Sequence, residues 1–137
     1  MIMTAAALDL QGAVFDALKA DDALVAALGG AKFHDVTPAD LGFPYVTFGR
    51  ASVYDWSTGT ETGSEHLFTL HVWSKHKGRK QALALMELVR AALHDKDLAL
   101  VRHHLVSLRL EFSEMRFDED LAVYEGSMRF RAVIEAA

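Results

Sequence analysis

Val106-Ser107-Leu108-Arg109-Leu110-Glu111-Phe112 alternates apolar and polar residues without a break, and Tyr124, Met128, Phe130 and Ile134 alternate in the same way with Glu125, Arg129 and Arg131. A period of two sends successive side chains to opposite faces, so each stretch reads as a half-buried strand. Joined by a short acidic interval, the pair reads as an antiparallel hairpin. Its register is constrained, because a slip of one residue would turn every apolar side chain to the other face. Opposed residues keep a constant number sum, and matching the even-numbered Phe112 and Tyr124 faces calls for an odd loop. The three residues Asp118-Glu119-Asp120 fit that turn.

Two further strands precede the hairpin. Glu65 to Trp73 places Phe68, Leu70 and Val72 on one face, and Tyr45 to Val53 is a second β run. Between them the polar, Gly- and Thr-rich stretch from Asp55 to Ser64 predicts a long, mobile hairpin loop. From Arg79 to His94 the pattern changes to a helical one, with Ala82, Leu85, Leu88, Val89, Ala92 and Leu93 on one side and Lys80, Glu87, Arg90 and His94 on the other. Near the start, Leu8, Val14, Phe15 and Leu18 predict a helix from Ala5 to about Lys19. A second, from Asp22 to Leu28, is capped by aspartate at its start and closed by Gly29-Gly30. Residues 31–44 contain Pro38 and Pro44, each of which favours extended backbone before it, and read as a surface loop. The fold expected over residues 1–137 is a single α+β domain, an antiparallel sheet of about four strands with helices packed on one face.

The chain carries 14 Lys plus Arg against 19 Asp plus Glu, a net charge of −5, in a globular composition. It contains no cysteine, which excludes disulfides, thiolate catalysis and thiolate metal ligation. Its apolar stretches are interrupted well before the roughly 20 residues of a membrane span, so no membrane role is expected. Met1 to Leu10 lacks the basic start and long apolar run of a secretory signal, which predicts a cytoplasmic chain.

Catalytic and metal-binding patterns are sparse. Seven histidines invite a metal reading, but His66 and His71 are five apart on a strand and point to opposite faces, while His103 and His104 are neighbours ill placed to share an ion. Neither a helical two-histidine motif, a nucleophile elbow nor a glycine-rich phosphate loop occurs. Asp118-Glu119-Asp120 lacks the alternating ligands and central glycine of a calcium loop and reads as a solvated turn. No catalytic residue, cofactor or metal is therefore assigned. A ligand-binding or enzymatic domain in the cytoplasm would instead need a concave pocket where histidines and carboxylates converge.

Two features ask for a partner. Lys75, Lys77, Arg79 and Lys80 gather at the start of a helix whose N-terminal end is already positive, an unfavourable placement. They read either as a contact for phosphate or an acidic chain, or as a solvated turn. The sheet face opposite the predicted core carries Leu67, His71, Trp73, Arg109, Glu111, Glu125, Arg129 and Arg131. Tryptophan and arginine dominate the energetic centres of protein interfaces. This face reads either as a subunit contact, with Trp56 in the preceding loop as a further anchor, or as a cross-strand ladder of opposite charges.

The order of several stretches resembles a known family. They are "ALKADDALVAALGG" (residues 17–30), "VTPADLGFPYVTFG" (36–49), "DWSTGTETGSEH" (55–66), "FTLHVWSK" (68–75) running into "GRKQALALMELVRAALH" (78–94), and "GSMRFRAVIE" (126–135). Together, from about Leu8 to Ile134, they resemble the phage tail-completion family, the tail terminator and head-tail joining proteins of tailed phages and gene-transfer particles. The resemblance implies a small α+β structural protein that assembles as a homo-oligomeric ring, typically six-membered. Such a ring caps the tail tube and offers a docking surface to the head connector or adaptor protein, with DNA passing through its lumen without sequence-specific contact. It also implies assembly in the cytoplasm followed by residence in the tail or neck of the particle. A connector-proximal joining protein is the nearest alternative. The family brings no catalytic residues.

Overall fold

In a computed structural model, which describes residues 2–36 and 42–136 (side chains from residue 5), the described residues form three helices and one five-stranded sheet. In chain order these are α1 (Ile2–Lys19), α2 (Asp22–Leu28), β1 (Phe33–His34), β2 (Tyr45–Asp55), β3 (Gly63–Ser74), α3 (Lys80–Leu93), β4 (His103–Asp118) and β5 (Val123–Ala136). The strand order is β1-β2-β3-β5-β4. Four strands are antiparallel neighbours, as the alternation predicts. The sheet is nevertheless mixed and has a fifth strand, because Phe33 and His34 pair in parallel with Val46 and Thr47. That strand lies in the stretch read as loop; two residues are too few to show a period, and the buried Phe33 secures it. The expectation attached to Pro38 falls outside the described residues.

The helices cover one face only. Phe68, Leu70 and Val72 of β3 and Met128, Phe130, Ala132 and Ile134 of β5 meet Leu10, Val14 and Leu18 of α1 and Leu85, Val89 and Leu93 of α3 in a single core. Leu8, assigned to the apolar side of α1, is 72% exposed. The junction of the first two helices is as read: the Asp21 carboxylate accepts from the Leu24 N–H at 2.9 Å, and Gly29 closes α2 at φ 78. Asp21→Ala should therefore lower the unfolding free energy by about 1 kcal/mol in a urea titration; an unchanged midpoint would show that the cap contributes nothing.

The hairpin departs from the odd-loop argument. Asp118 opposes Val123, so the turn has four residues, Glu119 to Ala122, with Ala122 at φ 54. The odd sum this creates, which pairs Phe112 with Arg129, is corrected upstream by an extra residue, Glu111, after which Leu110 opposes Phe130. A second extra residue, Val106, lets Leu105 oppose Ile134. Each bulge reverses the parity of β4. Hence Leu105, Leu108 and Leu110 join or abut the core, whereas Val106 and Phe112, expected there, are exposed. The loop between β2 and β3 is also shorter than expected, spanning residues 56–62, and is internally bonded. The Trp56 N–H donates to the Gly63 carbonyl at 2.8 Å, and the Thr58 N–H to that of Glu61 at 2.9 Å.

Candidate subunit interface

The face without helices is built from the odd-numbered residues of β3 and β5 and from their partners on β2 and β4. It divides into a closed polar patch and an open aromatic one. In the closed patch, Trp73 donates its indole N–H to the Thr47 hydroxyl at 2.9 Å and lies 6.2 Å from the Tyr45 ring. His71 donates from Nδ1 to Glu125 Oε2 at 2.5 Å, the Ser127 hydroxyl donates to the same oxygen at 2.6 Å, and Arg116 Nε donates to Oε1 at 3.3 Å. Burial alone would raise the Glu125 carboxyl, but these donors and the positive charges beside it hold it below the ordinary carboxylate range. The His71 ring lies over the backbone of Gly49, where a Cβ would fall 2.3 Å from its Nε2. That close approach is made at the β2 bulge, where Gly49 and Arg50 interrupt the register between Phe48 and Ala51.

The open patch sits further along the same strands. Arg131 bonds the Glu65 carboxylate and lies 5.9 Å from the Trp56 ring; Arg129 pairs with Glu111 at 3.2 Å and lies 5.3 Å from the Phe112 ring. Arg109 reaches Asp95 at 3.1 Å, beyond the β4 edge. Arg109, Arg129 and Arg131 thus each have an acidic partner within the chain. Trp56 nonetheless remains 57% exposed, Tyr54 53% and Phe112 45%. The charge ladder and the exposed aromatic surface are one structure, with the guanidinium groups orienting the rings.

The structure assembles Trp73 with His71 and Glu125, and Trp56 with Arg131, as neighbours on one face. Arg109 stands apart, turned towards Asp95. Lys75, Lys77 and Arg79 lie elsewhere, in the exposed turn between β3 and α3, with Lys80 exposed at the first position of α3, and none of the four is paired with a carboxylate among the described residues. Sequence reading did not find Arg116, Ser127 or Thr47 as members of the polar patch, and it placed Phe112 on the wrong face.

On the helix side, a hollow of about 290 Å³ lies between α1 and β2, lined mostly by apolar side chains with His66 among them. Burial, and then the nearby His103, push His66 below its ordinary range; its Nε2 and the Ser64 hydroxyl share a hydrogen bond of 2.8 Å. Asp9 is a second polar anchor, accepting from the N–H groups of Val101 and Arg102 at 2.8 Å each and from His103 at 2.9 Å, which ties α1 to the entry of β4. Among the described residues no group of three His, Asp or Glu is placed to hold a metal ion, and no helix is long and apolar enough to cross a membrane.

A family model described as tail completion protein gp17 matches residues 12–135. Among solved structures, a chain of the "Virion of native gene transfer agent (GTA) particle" is 36% identical over 93% of this chain and 95% of its own, with a TM-score of 0.84. No curated protein sequence matches significantly.

Proposed function

Because this chain belongs to the tail completion protein gp17 family, which it matches over residues 12–135, we propose that it is a tail terminator whose copies close into a ring on the end of the tail tube. Family membership and the likeness to a chain of a gene transfer agent virion make it a structural protein of a phage or phage-like particle. The family is one of virion components rather than of enzymes. The family match over nearly the whole chain carries the proposal.

In this reading the ring, six-membered in the simplest case, stops tube growth and presents a surface to the head connector or adaptor, and DNA passes through its lumen without base-specific contact. A ring of identical copies needs two unlike, complementary patches on each. The open face supports this assignment: Trp56, Trp73, Arg129 and Arg131, with Arg109 at the edge, form the contact to a neighbouring copy or to the tube. Exposed aromatic rings held in place by arginine match the composition of interface centres. The protein assembles in the cytoplasm and then resides in the tail or neck.

Particles made without this protein, imaged by negative-stain electron microscopy, test the role. Overlong tails without heads are expected. Tails of normal length that fail to join heads would instead indicate a connector-proximal joining protein, and normal particles would remove both readings.

A further inference from the structure

Strands β3 and β4 end, and β5 begins, side by side at one end of the sheet, where Tyr124 is flanked by Ser74 and Phe117. Two turns of opposite charge leave this end. The β3–α3 turn and the first residue of α3 carry the four exposed cations, and the Lys75 ammonium lies 5.0 Å from the ring of Phe43, just ahead of β2, so this turn leans towards the β2 flank. The β4–β5 turn marks the other flank, because β4 is the edge strand. There Asp118 is occupied, accepting from the Leu121 N–H at 3.1 Å, whereas Glu119 and Asp120 are exposed and form no ion pair among the described residues. Each turn also displays apolar surface. Leu121 is 63% exposed beside the carboxylates, and Leu83, one helical turn after Lys80, is 51% exposed.

From this placement, and resting on the ring reading above, we infer that the acidic tip of one copy docks on the basic turn of the next. Glu119 and Asp120 face Lys77, Arg79 and Lys80, and Leu121 packs on Leu83. The cations crowd the positive end of α3, which has no side-chain cap, and no carboxylate among the described residues pairs with them. Carboxylates with an apolar neighbour occur at the same end of the sheet but on the opposite flank. A copy rotated about an axis roughly along the strands brings one flank to the other at the same height. Such a contact joins unlike surfaces and repeats around a closed ring. A nucleic acid would engage the basic turn but would leave the acidic tip without a role.

Charge reversal on each side, followed by exchange, tests the contact. Assembly of purified protein is measured by light scattering and negative-stain imaging over a range of concentration and salt, with thermal unfolding as the check on folding. E119K/D120K and K77E/R79E/K80E are each expected to raise the concentration for half-assembly by at least roughly tenfold, since like charges then meet across the contact. The five changes combined should restore assembly to within about threefold of the unaltered protein, and added salt should weaken the unaltered ring. Normal assembly of the tip variant, or failure of the combined variant to recover, overturns the inference while leaving the ring reading in place. Loss confined to the basic-turn variant also overturns it, in favour of another polyanion. An unaltered protein that stays monomeric at every concentration overturns both.

Discussion

Replacing Phe130 with alanine is expected to lower the unfolding free energy by about 3–5 kcal/mol. Phe130 is fully buried on β5, opposes Phe68 on one side and Leu110 on the other, and stacks on the Phe68 ring with centroids 5.4 Å apart. Its neighbours cannot close the void easily, because both flanking strands are pinned by long antiparallel ladders to β5 itself. A small domain has about 5–15 kcal/mol in total, so this one side chain accounts for a large fraction. Urea titration should show a lower midpoint with an unchanged slope. A loss below about 1 kcal/mol would mean that the core repacks around the gap. The consequence reaches the other face, since Arg129 and Arg131 flank Phe130 on the same strand and orient Phe112 and Trp56.

Elements whose signals are local were legible in the sequence. Asp21 and Gly29 bracket α2 through their capping chemistry, and the helical period of α3 selected Ala82, Leu85, Val89 and Leu93, all buried. On β3 the alternation is unbroken, so Phe68 and Leu70 were correctly separated from His71 and Trp73. What the sequence hid is the register of β4. A bulge at Val106 or Glu111 needs neither glycine nor proline, and its only effect is to change which residues share a face. The odd-loop argument assumed that parity is kept along the whole strand. The chain meets the same requirement, apolar opposite apolar, by combining a four-residue turn with an inserted residue. The error carried into the candidate site: Phe112 was assigned to the core and so was missed as the aromatic partner of Arg129. Arg116 was missed because the alternation gives no reason to extend β4 as far as Asp118. By contrast, Trp73, Arg129 and Arg131 lie on strands without an intervening bulge between β3 and β5, and there the sequence placed them on the correct face.

Glu125→Gln is expected to cost about 1–3 kcal/mol near neutral pH, the range for a buried hydrogen-bonding group that loses its charge and one of its matched partners. The carboxylate is 9% exposed and takes donors from His71, Ser127 and Arg116; the amide keeps the shape but turns a donor towards one of them. Because the folded protein holds Glu125 below its ordinary value of 4.5, the deprotonated form is favoured in the native state. Its contribution is therefore complete above about pH 4.5 and disappears as the pH falls through the lower, folded value. The difference between the unaltered protein and the variant should shrink across that interval, even though both lose stability in acid as Asp9, also held low, is protonated and as the buried His66 takes up a proton. Unfolding free energies of the two proteins at a series of pH values measure this difference directly. A penalty that stays constant to the lowest pH would show that Glu125 acts through shape rather than charge. The polar patch beneath Trp73 would then be packing, and its ionic bonds would have no part in presenting the face to a partner.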